Sequence, residues 1–244
     1  MWKPVVRVLK SYSPSSRREL VTLLLLLLVF AGAWSFFELA DEVLEGDTQA
    51  LDRRVVLAMR DAEDLSDPVG PRWFEELGRD VTALGGMGVL GFFSLVTVGF
   101  LALDKKPHAA LFVAVAVAGG MLLSTGLKEV VDRPRPDLVP HGQHVYTQSF
   151  PSGHSMLSAV TYLTLGALLA RLQKRRRLKL YLLAVAISMT LAIGVSRVYL
   201  GVHWPTDVLA GWSAGAAWAV LCWVIARVLQ QRGQVEREPE VSEG

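Results

Sequence analysis

Apolar residues along this chain gather in runs of membrane-crossing length, not at the periods of a half-buried soluble helix or strand. The first run, 20–39, contains six consecutive leucines, and a helix needs about 20 residues to cross a hydrocarbon core. Five more follow at 81–103, 109–127, 154–170, 180–195 and 207–229. A cleavable signal has a shorter apolar core of about 7–15 residues and a small-residue cleavage site. The first run is longer and no such site follows, so it is read as a helix that stays. The pattern predicts an all-α, integral-membrane bundle of six transmembrane helices over residues 20–229. Residues 41–80 are mixed and broken by Pro68, Gly70 and Pro71, and they form an extramembrane or interfacial segment of unassigned role. A basic stretch, 1–19, precedes the bundle, and an acidic polar tail, 230–244, is expected to be disordered.

Composition shifts this picture little. The chain has 244 residues, 52% of them hydrophobic, with a mean hydropathy of +0.36; soluble domains have about 45–50% apolar residues. A net charge of +2 argues against a nucleic-acid partner, which requires a strongly basic face. The single cysteine, Cys222, excludes an internal disulfide. Charge placement matters more. With the N-terminus inside, the inner segments 1–19, 104–108, 171–179 and the tail (Arg227 counted with it) hold 16 of the 25 Lys and Arg residues, and inner loops are the basic ones. Both termini are therefore expected in the cytoplasm, with a bacterial inner membrane as the setting.

Three polar segments then fall at the outer ends of apolar helices. They are Lys128 through Arg135 and Pro136, Pro151-Ser152-Gly153-His154, and Ser196-Arg197 followed by His203 and Asp207. Charges at membrane depth must line a wet cavity or meet a counter-ion. A phosphate would satisfy Lys128, Arg135 and Arg197 together, the arginines as forks and the lysine as a point charge. Ser152 and Gly153 open the fourth helix, whose N–H groups and dipole make an anion cradle. His203 and Asp207 are four apart, so a carboxylate can hold one ring nitrogen and leave the other nucleophilic. His203 is the candidate nucleophile and Asp207 its partner. His154 is the candidate general acid, then base toward water. Lys128, Arg135, Ser152, Gly153 and Arg197 are the candidate phosphate ligands. The scheme calls for no metal and no cofactor.

The arrangement K-x6-R-P, P-S-G-H and S-R-x5-H-x3-D resembles the three-part signature of the type 2 phosphatidic acid phosphatase (PAP2) superfamily, which is shared with vanadium haloperoxidases. It is matched by Lys128, Arg135 and Pro136, by Pro151 to His154, and by Ser196, Arg197, His203 and Asp207, with no departure. The resemblance implies a six-helix core, metal-independent phosphatase chemistry and the same residue roles. Residues 1–80 lie outside it. The expected activity is removal of phosphate from a membrane lipid at the extracytoplasmic face through a phosphohistidine, with undecaprenyl diphosphate, phosphatidylglycerol phosphate and phosphatidic acid as candidate substrates. The alternative is a lipid-linked phosphotransferase using the same histidine.

Other residues keep plainer readings. Arg133 is an ordinary loop charge, and His108, His141 and His144 are loop histidines. Trp204, Trp212, Trp218 and Trp223 mostly face lipid or the interface, with the border of the substrate entrance as a further reading for Trp204. Gly211-x3-Gly215 is a close-packing pair within the bundle.

Overall fold

The computed structural model describes residues 14–137 and 148–231. The outermost basic N-terminal residues, His141 and His144, and most of the acidic tail lie outside these. Among the described residues the fold is eight helices with no strand. They are α1 (Pro14–Glu45), α2 (Gln49–Leu57), α3 (Arg72–Ala83), α4 (Met87–Leu103), α5 (Pro107–Val130), α6 (Gly153–Arg171), α7 (Arg176–Tyr199) and α8 (Pro205–Gln231).

Five of these helices are long and apolar enough to cross a membrane, and α3 with α4 makes a sixth if the two count as one bent span. The chain is an integral membrane protein. Its outward faces carry what a bilayer accepts: Leu23, Leu27, Phe30, Trp34, Phe37, Leu95, Phe100 and Leu122 are all exposed. Five of the six expected runs are helices that extend past their apolar cores at both ends, because polar residues at the interface still satisfy their backbone within the helix. The second run is different. The helix expected from residue 81 onward breaks at Leu84-Gly85-Gly86, and α3 meets α4 at 47°. The bend follows from packing, since a Cβ at Gly85 would lie 2.4 Å from Ile193 Cγ2 of α7.

Helix α6 is the centre of the bundle, against α4, α5, α7 and α8, while α1 lies along α8. Its buried positions are mostly small: Ser155, Ser158, Ala159, Thr161, Thr164 and Gly166. Lipid supplies no hydrophobic drive between helices, so close approach and dispersion hold them together. Gly211 and Gly215 of α8 face α6, and a Cβ at Gly215 would lie 2.5 Å from the Met156 carbonyl oxygen and 2.8 Å from Ala159 Cβ. The expected packing role within the bundle is therefore met. Gly215→Val should force α8 off α6 and destabilise the protein by about 1–3 kcal/mol, read as a lower thermal midpoint in detergent.

The tryptophans correct their sequence reading. Trp212 and Trp218 point between helices, donating Nε1–H to the carbonyls of Thr190 (3.1 Å) and Ala116 (2.8 Å). Gly194 and Gly119 leave the space that these indoles fill. Trp223 packs edge-on against Phe112 and under Arg171. His108 lies in the first turn of α5, not in a loop.

Residues 46–71 fold back over one end of the bundle. Val56 is fully buried with Val198 and Val208, which ties α2 to α7 and α8. Asp52 lies one turn earlier on the same face and is also fully buried. The turn that follows is held by Arg60, which donates to the Tyr199 carbonyl at the C-terminus of α7, where a cation meets the negative end of the dipole. Burial holds the Arg60 guanidinium below its ordinary pKa.

Candidate active site

The end of α5, the start of α6, the end of α7 and the start of α8 converge at one end of the bundle. Between them is a cavity of about 720 Å³, lined among others by Lys128, Arg135, Gly153, His154, Arg197 and His203. Six of the eight residues singled out from the sequence thus share one wall. Asp207 and Ser152 stand behind it.

Each is held by local chemistry. Helix α8 begins at Pro205, so its first turn has orphan N–H groups. Asp207, at the third helical position, turns back to accept from Trp204 N–H (2.9 Å), which is the reach-back half of a capping box. The same oxygen, Oδ2, faces His203 Nδ1 at 3.4 Å and accepts from Ser149 Oγ. His203 precedes the helix and does not ride on it; the capping bend brings its ring to the carboxylate.

The far side of the ring fixes the tautomer. Arg135 Nη1 lies 3.1 Å from His203 Nε2 and 2.8 Å from the Val202 carbonyl. A guanidinium only donates, so Nε2 accepts and the ring proton sits on Nδ1, toward Asp207. Burial pushes the His203 pKa down to about 4; the hydrogen bond and charge of Asp207 pull it up, and Arg197 and Arg135 add to the lowering. The folded value lies below the ordinary 6.5, so the unfolded chain binds a proton that the fold refuses. The neutral ring's contribution to stability is complete above 6.5 and is lost as pH falls toward 4. A histidine-selective NMR titration in detergent should place the His203 midpoint near 4. A midpoint at the ordinary value would show an open, hydrated ring.

Helix α6 opens with Ser152 as N-cap, its Oγ facing Ser155 N at 3.4 Å and accepting from Ser155 Oγ at 2.9 Å. This corrects the expectation of a free N–H at Ser152, which donates instead to the Asp207 carbonyl (2.9 Å). The Ser152 side chain is wholly buried in the cap. The exposed part of the cradle is the turn at Gly153 and His154. A Cβ at Gly153 would lie 3.5 Å from Lys128 Cε, so its absence keeps the gap between helix end and ammonium open. Lys128 donates to the Gln148 carbonyl (2.9 Å). Arg197 donates Nη1 to Thr82 Oγ1 (3.1 Å), and its Nε is buried without a partner among the described residues.

Arg133 is not a loop charge. Its guanidinium is buried, with Nη1 donating to Asp207 Oδ1 (2.6 Å) and Thr206 Oγ1 (2.7 Å), and Nη2 to Asp52 Oδ2 (2.6 Å) and Thr48 Oγ1 (3.4 Å). It also lies over the Trp204 ring, 5.7 Å from its centroid, and Trp204 Nε1 donates to the Pro134 carbonyl (3.0 Å). Trp204 is therefore half-buried against the loop that carries Arg133 and Arg135. Arg133 gives no sequence signal beyond its two-residue distance from Arg135, and Asp52 gives none. Thr82 and Gly85 at the α3–α4 bend give none either, since only the fold brings Thr82 to Arg197 and Gly85 to the cavity.

A family model for the PAP2 superfamily matches residues 109–231, half of the chain. The chain belongs to the PAP2 superfamily. Phosphatidylglycerophosphatase B of Bacillus subtilis is 35% identical to this PAP2 protein over 147 residues, 59% of the present chain and 70% of that one. Lipid A 1-phosphatase of Rhizobium johnstonii is 32% identical over 126 residues, 48% of this chain and 47% of its own. The crystal structure of a transmembrane PAP2 type phosphatidylglycerolphosphate phosphatase from Bacillus subtilis superposes with a TM-score of 0.72 at 26% identity, covering 86% of this chain and 98% of that one. The matched region contains all three polar segments and every helix that lines the cavity except the α3–α4 pair.

Proposed function

We propose that this PAP2 protein hydrolyses the phosphate ester or anhydride of a membrane lipid, with His203 as nucleophile, at the extracytoplasmic face. Two observations agree on the lipid: the cavity opens among membrane-crossing helices, and the similar proteins are phosphatases of lipids. The observation that carries the mechanism is the ring of His203, with its Nδ1 side turned to a buried carboxylate and its Nε2 side turned to the cationic cavity.

In the first step Nε2 attacks phosphorus in line, the nitrogen–phosphorus bond forms, and the bond to the leaving oxygen breaks. His154 gives its proton to that oxygen. Asp207 stabilises the positive charge that develops on the imidazole. Lys128, Arg135, Arg197 and the N–H groups at Gly153 hold the three equatorial oxygens, where charge accumulates in the transition state. Ser152 keeps the cradle in place from behind. In the second step His154 takes a proton from water, whose oxygen attacks phosphorus and releases His203 and inorganic phosphate. The apolar part of the cavity wall at Met87, Met121 and Leu157 leaves the lipid tail in the membrane.

The outward orientation rests on the basic loops at the opposite end of the bundle, Lys105-Lys106 and Lys174 to Arg177. The test is phosphate release by the purified protein in EDTA from undecaprenyl diphosphate, phosphatidylglycerol phosphate and phosphatidic acid, without added acceptor. Release identifies a hydrolase and ranks the headgroups. Silence on all three, followed by phosphate transfer when a lipid alcohol is added, would make it a phosphotransferase.

A further inference from the structure

Asp207 uses Oδ2 on His203 and the helix cap, and its other oxygen, Oδ1, is occupied by Arg133 alone among the described residues. Arg133 in turn is gripped by Asp52 at 2.6 Å, and all three side chains are buried. Thr206 closes the ring: its Oγ1 donates to Asp52 Oδ2 (2.6 Å) and its backbone N–H to Asp52 Oδ1 (3.0 Å). Asp52 therefore satisfies an orphan N–H in the first turn of the helix that carries Asp207. It comes from α2, in the segment with no part in the three-part signature.

We propose that Asp52 and Arg133 are positioning residues for the reaction, and that the segment after the first membrane helix completes the active site by clamping the carboxylate behind the nucleophile. The proposal rests on the phosphatase reading above. A carboxylate held at both oxygens cannot rotate about its Cβ–Cγ bond, so Oδ2 stays toward Nδ1 and the ring stays aimed into the cavity. Arg133 provides that fixture, and Asp52 keeps the guanidinium plane from turning. Neither residue lines the cavity, so neither needs to touch substrate.

The experiment uses the full chain in detergent with phosphatidylglycerol phosphate, phosphatidic acid and undecaprenyl diphosphate in mixed micelles. Asp52→Asn retains an acceptor for the Thr206 N–H but removes the negative charge that faces Arg133. It is expected to lower kcat about tenfold, as outer partners of an oriented ligand do, with KM within about twofold. The double variant Asp52→Leu with Arg133→Met removes the pair together and leaves neither charge stranded. Its thermal midpoint should return toward wild type while kcat stays low. A kcat in Asp52→Asn within twofold of wild type overturns the inference. So does a double variant in which kcat recovers with stability, because the pair would then be structural only. Should the double variant not fold, the kcat-against-KM split in Asp52→Asn decides alone. Wild type inactive on all three lipids would overturn the phosphatase reading and this inference with it; an active wild type with unaffected variants overturns this inference alone.

Discussion

His203→Ala should release no phosphate from any lipid that the wild type hydrolyses, a fall of about 10⁴-fold or more in kcat, as loss of a covalent nucleophile gives elsewhere. The physical ground is the absence of a substitute. Within the cavity wall the other imidazole, His154, lies at the start of α6, and no hydrogen bond joins it to a carboxylate among the described residues. Of the remaining ionisable wall residues, Lys128, Arg135 and Arg197 are cations that bind phosphate and attack it poorly, and Glu129 and Asp132 are carboxylates whose charge the phosphate repels. Binding should survive, because the three cations remain; a non-hydrolysable lipid phosphonate should still bind within a fewfold of wild type. Enzyme quenched in alkaline detergent during turnover of a radiolabelled lipid phosphate would check the intermediate. Wild type should carry label that is stable in base and labile in acid, and the variant none. Label on the His203→Ala protein would transfer the nucleophile role to another residue.

Arg133→Leu is the change expected to harm the fold most. It strips the shared counter-ion from Asp52 and Asp207, both fully buried. Leaving a buried charge without its partner costs about 3–5 kcal/mol, which for a chain of this size corresponds to a loss of roughly 10 °C in thermal midpoint. The fluorescence of the seven tryptophans would follow the transition in detergent, with Trp204 beneath the guanidinium reporting locally. Glu75 and Arg79 give the contrast: their pair is exposed on α3, and Arg79→Leu should change the midpoint by no more than about 1 kcal/mol. Equal losses in the two variants would mean that Arg133 is hydrated and not buried.

These two residues differ in how visible they are before folding. His203 is four positions from Asp207 and six after Arg197 in a spacing that the chemistry demands, so it stands out from a string of letters. Arg133 sits beside a motif residue and looks like any loop charge, because its partner is 81 positions away on α2. The bend at Gly85 was hidden for a similar reason. Hydropathy runs on through it, and only the side chain of Ile193 pressing from α7 requires a residue without a Cβ there. Ser152 was legible as a helix start, but the partner of its N–H was not, since that is the carbonyl of Asp207 on another helix.

Sequence alone determined the quantities that depend on neighbours along the chain: membrane-length apolar runs, small residues for close helix contact, the helix starts at Ser152 and Pro205, and a histidine and carboxylate one turn apart. A bilayer makes these strong signals, because each backbone polar group must be satisfied within its own helix and each intramembrane charge needs a reason. Tertiary structure decided what depends on separate segments meeting. It turned Trp212 and Trp218 inward, bent α3 against α4, closed the cavity, and carried Asp52 from an unassigned stretch to the back of Asp207. Those outcomes follow from packing and from pairing charges in a dry interior, where a guanidinium and two carboxylates from distant positions are stable only together.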